Sequence, residues 1–388
     1  MPSRLNAAIV GLGMAGLTRT EALPASMLAA NAIHYAIEDA GLARADIDGL
    51  ILNRSGAASE QSLNLHLASL AGLRDLRLSQ VLLCDGASSL ASIQTAAMAV
   101  SLCMAKHVAV VFADAALKAD KRISESFGRI KPVEGIAGLR YSAGLIGGAA
   151  AHALVASRYM HEHGVSEREL GEVAVSTRRW AALNPQALFR KPLSIDEYLA
   201  SRYVAEPFRL FDCAIPVNGA IAVIVSAASS AHELKQPPVH ILGVGQGHGG
   251  QPDQRGFADA VEGGRVSAAM AYDMAGLAPR DVTQCQIYDA FSINTLLMLE
   301  MQGLCGEGEA AALVGSGATS PGGRLPVNTG GGHLSGYYMQ GMTPIAEAVL
   351  QVRGHAGQRQ ARSDVVLVTN EGGLFDHHAC MLVGPKGC

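Results

Sequence analysis

The chain has little charge, few aromatic rings and no long apolar run. Of its 388 residues 16% are charged and 5% aromatic, with a single Trp. A net charge of −4 excludes the broad basic face that a nucleic-acid or anionic-membrane binder needs. The seven cysteines are odd in number and show no Cys-x-x-Cys spacing, which speaks against a disulfide framework and points to free thiols in the cytoplasm. No basic segment followed by an apolar stretch opens the chain, so no signal peptide is expected. Runs such as 108–115 are too short to span a bilayer. His161-Glu162-His163 and His377-His378 lack the supporting spacing of a metal site, so no metal is expected. What the chain has in quantity is apolar residues, 49%, enough for a large buried core in two or three units.

It also has an internal repeat. Residues 36–47 (AIEDAGLARADI) return as 271–282 (AYDMAGLAPRDV), and 8–13 (AIVGLG) as 240–245 (HILGVG). A helix end, a Gly stop and a strand entry are each written twice, which predicts two copies of one α/β unit. In the first copy, strands are expected at 7–10, 47–52, 81–84, 107–112 and 220–225, with helices at 26–40 and 90–104. In the second, strands are expected at 240–244, 286–288 and 365–368, with helices at 266–275 and 342–353. The halves divide near residue 235, as 1–235 and 236–388, with a loop subdomain at about 116–215 inserted in the first. Gly11-Leu12-Gly13-Met14-Ala15-Gly16 follows a strand like a dinucleotide fingerprint. No acidic residue ends the next strand, however, and the second copy repeats the glycines, so they read as a strand-end turn.

The duplicated βαβαβ plan with a loop domain in its first copy resembles the thiolases. The resemblance is nearest to the thiolase-like half of sterol carrier proteins and to bacterial lipid-transfer-protein-type homologues. It is carried by Asn184-Pro185-Gln186-Ala187 with Arg190-Lys191-Pro192-Leu193, by Tyr288-Asp289-Ala290-Phe291, and by Gly303-Leu304-Cys305-Gly306 leading to Leu325-Pro326-Val327-Asn328-Thr329-Gly330-Gly331. It implies a five-layer αβαβα fold, coenzyme A as part of the substrate with no other cofactor, and a homodimer. It also implies a small OB-fold, zinc-ribbon partner subunit. The cluster Arg178, Arg179, Arg190 and Lys191 is a candidate for the phosphates of coenzyme A.

Thiolase chemistry needs a nucleophilic Cys at a helix N-terminus, a second acid/base group and donors aimed at two oxyanions. Laid on the family pattern, the nucleophile position falls on Gly86, which cannot be acylated. Cys84, the candidate substitute, shares a face with Gly86 only if the strand continues that far, and even then stands roughly 6–7 Å away, a large displacement for a nucleophile. The second family cysteine falls on Asn370, within Thr369-Asn370-Glu371-Gly372-Gly373, and the family histidine falls on Tyr338. With both cysteines absent, a Claisen thiolase is disfavoured. The resemblance implies retro-aldol cleavage, or aldol formation, on a β-hydroxyacyl-CoA of lipid or steroid side-chain type, with a tyrosine moving the hydroxyl proton. The candidate catalytic residues are therefore Tyr338, Asp289, His333 and Tyr288, with Tyr337 a weaker choice. Gly86, Gly373 and His248 are candidates for oxyanion or substrate binding. Two alternatives stay open: an acyltransferase using Cys84, and an inactive subunit that binds an acyl-CoA or lipid within a complex.

Overall fold

The computed structural model describes residues 5–20, 23–53, 64–118, 138–139, 142–249 and 257–386. Eleven strands are present among them: β1 Ala8–Thr18, β2 Gly49–Asn53, β3 Leu78–Leu82, β4 His107–Asp114, β5 Tyr203–Ala205, β6 Phe208–Arg209, β7 Asn218–Ser226, β8 Val239–His248, β9 Gln284–Ile287, β10 Val366–Gly372 and β11 His377–Gly384. Nine of them form one sheet in the order β3-β2-β4-β7-β1-β8-β11-β10-β9. The two halves meet at a short antiparallel contact, Ala8 with His240 and Ile9 with Val239. Outward from that contact each half follows one plan. The first runs β1-β7-β4-β2 and the second β8-β11-β10-β9, with the last pair parallel in each. The sequence repeat is therefore a structural duplication.

Alternation along the buried strands sorts their side chains into three apolar layers. Val10, Leu50, Val111 and Ile224 pack under Ile33, Ala36 and Ile37 of the helix Ala25–Ala40. Val110, Val223, Val368 and Met381 face a central layer holding Ile93 and Ala97 of the helix Ser88–Ser101 and Ile345 and Val349 of the helix Met342–Val352. On the far side, Ile287, Leu367 and Leu382 pack against Ala271 and Leu296 of the helices Phe257–Ala275 and Ser292–Met301. With the two halves of the one sheet counted as separate layers, the order is helix, sheet, helix, sheet and helix, five layers in all.

The repeated glycines have a different cause from the one expected. They lie within β1 and β8, not in a turn. A Cβ on Gly11 or Gly13 would strike the backbone of residues 36 and 32, and one on Gly243 or Gly245 that of Ala271 and Ser267. Alternate glycines on one face let a helix backbone settle onto each strand.

Other boundaries moved as well. The strand expected at 81–84 ends at Leu82, and the chain then turns through Asp85, whose φ is 45°. Cys84 and Gly86 are thus not successive residues on one strand face. β11 was not expected at all, although it supplies the partner on both sides for β8 and β10. The strand expected at 240–244 runs on to His248, and residues 250–256 lie outside the described set.

The segment between β4 and β7 carries the helices Gly147–His163, Glu167–Ala182 and Ile195–Leu199. The last two start on capping boxes, Ser166 with Glu169 and Ser194 with Glu197. The stretch 184–193 is a clamp on the second half. Asn184 Nδ2 donates to the carbonyl of Gly330 at 2.8 Å, and the amides of Leu188 and Phe189 donate to the carbonyls of Gly336 and Ser335. Arg178 is buried, donates to Ser335 Oγ at 2.8 Å and stacks on Phe189 and Phe211. It is therefore not free for a phosphate. Arg179 reaches Ser320 Oγ at 3.2 Å, and Arg190 and Lys191 stay exposed.

A buried ion pair anchors the other side of the same loop. Glu347 accepts from Arg359 Nε at 3.0 Å and from Thr329 Oγ1 at 2.8 Å, and it lies against Gly330. Arg359→Met leaves this carboxylate buried and unpaired, so stability is expected to fall by about 3–5 kcal/mol in urea unfolding.

Candidate active site

The parallel strands of both halves point their C-terminal ends into one cleft. Asn53 ends β2, Asp114 ends β4, Tyr288 follows β9, and Asn370 to Gly372 end β10. Against them lies the loop 328–341, which makes a wide π-type turn at Gly332–Gly336. That turn needs Gly331 and Gly332 at φ 92° and 52°.

Asp289 and His333 hold the loop to the sheet, and both are fully buried. The His333 amide donates to Asp289 Oδ1 at 2.7 Å. Its Nδ1 lies 3.2 Å from the Asp289 amide and 3.1 Å from Asp289 Oδ1, and its Nε2 meets the carbonyl of Gln340 at 2.8 Å. Both ring nitrogens are thus engaged with the scaffold. The imidazole also packs on two phenols, 4.8 Å from the ring of Tyr288 and 5.0 Å from that of Tyr338. Gln340, at φ 49°, is held by Asn53 Nδ2 at 2.8 Å, so the end of β2 fixes the far side of the loop.

Tyr288 and Tyr338 share a hydrogen bond of 2.8 Å between their hydroxyls. Of Tyr288, Asp289, His333 and Tyr338, only Tyr338 keeps a solvent-accessible face. Burial lifts both phenols above the ordinary tyrosine range, Tyr338 to about 12 and Tyr288 well above its usual value. The shared bond splits the pair: it favours the oxyanion of Tyr338 and opposes that of Tyr288. Tyr337 is a core residue, its ring in the central apolar layer and its hydroxyl 3.6 Å from Met14 Sδ.

Gly86 lies directly beneath this pair. A Cβ there would overlap the carbonyl oxygen of Glu371 and come within 2.7 Å of Tyr288 Oη. No cysteine fits, because the space is taken by a phenol and a strand end. Cys84 is half-buried, and burial, then the neighbouring Asp85, push its thiol up, the reverse of what a nucleophile requires. Gly372 and not Gly373 is the β10 residue set against the amides of Gly86 and Ala87. Gly373 sits in the following turn at φ 76° beside the Asp376 carboxylate. His248 is at the exposed end of β8, its Nδ1 2.9 Å from His377 Nδ1, and contacts none of Tyr288, Asp289, His333 and Tyr338 in the described structure.

Sequence reasoning missed two residues here. Glu371 is buried, accepts from Asn294 Nδ2 and the Phe375 amide at 2.8 Å each, and lies 3.8 Å from His152 Nε2. His152 comes from the inserted segment and stacks 4.6 Å from Phe291, which places that segment over the cleft. A glutamate beside two glycines gives no local signal of this. The described residues hold no group of three or more His, Cys, Asp and Glu side chains disposed to bind a metal, and no helix among them is long and apolar enough to cross a membrane.

Comparison with known proteins accords with this geometry. A family model described as thiolase C-terminal domain-like matches residues 252–385. The chain is 36% identical over 375 residues to a 17-hydroxy-3-oxo-4-pregnene-20-carboxyl-CoA lyase of Mycobacterium tuberculosis, covering 94% of this chain and 95% of that one. It is 33% identical to a steroid side-chain-cleaving aldolase of Thermomonospora curvata, covering 94% of each. Among solved structures, one titled Ltp2-ChsH2(DUF35) aldolase superposes with a TM-score of 0.87 at 31% identity over 98% of both chains. Human mitochondrial 3-ketoacyl-CoA thiolase shares the fold, with a TM-score of 0.72 at 14% identity.

The crowding at Gly86 has a direct consequence. Gly86→Cys is expected to lower stability by on the order of 3 kcal/mol by overpacking against backbone, and to yield no acyl adduct by intact-protein mass spectrometry.

Proposed function

The chain belongs to the thiolase superfamily, in its sterol-carrier and lipid-transfer-protein-type branch, and we propose that it is a lyase cleaving a β-hydroxyacyl-CoA thioester by retro-aldol chemistry. A substrate of steroid or other lipid side-chain type is supported by the likeness to two steroid-cleaving relatives over nearly the whole chain. The observation that carries the mechanism is the pair of hydrogen-bonded phenols standing where a nucleophilic thiol would need to be.

In this reading the β-hydroxyl proton passes to Tyr338 Oη as the bond between the α- and β-carbons opens. The freed electron pair moves into the thioester as an enolate, and the β-carbon leaves as a ketone or aldehyde. Tyr338 then returns the proton to the α-carbon. Tyr288 donates its hydroxyl to Tyr338 and steadies the phenolate that accepts the proton and is regenerated when the proton is returned. Asp289 and His333 are positioning residues, since every polar contact of the imidazole is spent on Asp289 and on the Gln340 backbone. The backbone amides at Gly86 and Gly372 are assigned to the oxyanion side. A nucleophilic role for Cys84 is set aside because its thiol is shifted away from ionisation.

The likeness to the two-component Ltp2-ChsH2(DUF35) aldolase supports a partner subunit for this chain too, and the family resemblance implies one of the OB-fold, zinc-ribbon kind. Edge strand β3, with Val81 and the following Leu83 exposed, suits a homodimer contact. The odd number of cysteines without Cys-x-x-Cys spacing supports work in the cytoplasm.

Incubation with β-hydroxyacyl-CoA thioesters, with and without a co-purified partner, is expected to release a ketone or aldehyde with no covalent adduct. An acyl group on Cys84 would overturn the reading. Tyr338→Phe is expected to lower kcat by roughly 10²–10⁴-fold with the fold intact. Because the acting form of Tyr338 is the phenolate and burial raises its pKa to about 12, the active fraction grows with pH. kcat/KM is therefore expected to climb without a plateau across the range in which the protein stays folded. A bell-shaped profile centred near neutrality would assign the base elsewhere.

A further inference from the structure

Asn370 stands where thiolases place a second cysteine, and nothing above gives it a task. The residue is 0% exposed, yet neither Oδ1 nor Nδ2 has a hydrogen-bond partner among the described residues. Its neighbour in the strand behaves otherwise, since both Glu371 oxygens are matched by donors. A buried carboxamide loses its hydrogen bonds to water and is kept in a fold where something else completes them. The surroundings show where that something sits. Gly341 carries no Cβ, and one would overlap Asn370 Nδ2 and come within 2.8 Å of the carbonyl of Gly86. Gly86 in turn is capped by the Glu371 carbonyl and Tyr288 Oη. The donor end of the amide is therefore held among the glycines at the floor of the cleft, beside the phenol pair, in space that two absent side chains leave open.

We propose that Asn370 Nδ2 donates a hydrogen bond to the thioester carbonyl oxygen of the substrate, and to the enolate oxygen it becomes when the carbon–carbon bond breaks. The inference rests on the retro-aldol reading and deepens it. Charge develops on that oxygen in the transition state, and a donor fixed beforehand in a water-poor site acts on it without reorganisation. Asn370 is then a catalytic residue, and Gly341 keeps its place clear.

The test uses the full chain, with its partner where one co-purifies, and two readouts. One is ketone or aldehyde release from a β-hydroxyacyl-CoA. The other is exchange of α-hydrogens for deuterium in a saturated acyl-CoA, which forms the same enolate and cleaves nothing. Asn370→Leu, of similar volume, is expected to slow both by roughly 10²–10³-fold while the melting temperature holds or rises, since an unmatched polar group has been removed. Asn370→Ala serves as the second variant should Leu disturb packing. Undiminished cleavage or exchange overturns the proposal. So does a lowered melting temperature in both variants, which marks a structural amide. Absence of cleavage by the parent protein refutes the retro-aldol reading instead, and the exchange comparison still decides the role of Asn370.

Discussion

The carbonyl of Glu371 pressed against the α-carbon of Gly86 is the contact on which the site depends. It joins the end of a strand in the second half to the start of the central helix in the first, and Tyr288 fills what space remains. A side chain at residue 86 is therefore shut out by backbone, which a rotamer change cannot relieve. Covalent catalysis at that position is closed, and proton transfer at a buried phenol pair becomes the chemistry the same fold can offer.

Holding that pair demands most of the loop 328–341. Asp289 and His333 meet through both backbone and side chain, Gln340 is tied to β2 through Asn53, and Glu347 with Arg359 braces the loop from behind. The inserted segment contributes Asn184 and Arg178 to the same purpose. Residues that look like reagents in the linear chain, a histidine after three glycines and Arg178 of the basic cluster, are here occupied with neighbouring side chains and the main chain. Geometry separates them from Tyr338, the one of the group with a face toward solvent.

The balance of the phenol pair follows from the same burial. Taking two hydroxyls out of water raises both, and the hydrogen bond between them lowers the cost of charge on the acceptor alone. This balance is why the proposed mechanism has Tyr338 take the proton and Tyr288 support it.

Much of this was legible in the chain itself. The repeat at 36–47 and 271–282 determined a duplicated α/β unit, because helix caps and strand entries are local and leave local marks. Gly86 and Asn370 in place of cysteines, and Tyr338 in place of histidine, disfavoured a Claisen thiolase before any coordinates, since a missing side chain cannot act, while Cys84 as a substitute nucleophile stayed open. Other matters were decided by tertiary structure alone. The glycines of β1 and β8 are set by helices that approach from elsewhere in the chain. β11 pairs on both sides yet reads as an unremarkable apolar tail. Glu371, His152 and the open carboxamide of Asn370 acquire meaning only from partners, or the lack of them, brought in from distant segments. Periodicity and caps are properties of neighbours in sequence, whereas burial, hydrogen-bond completion and the space left for a substrate are properties of the assembled fold.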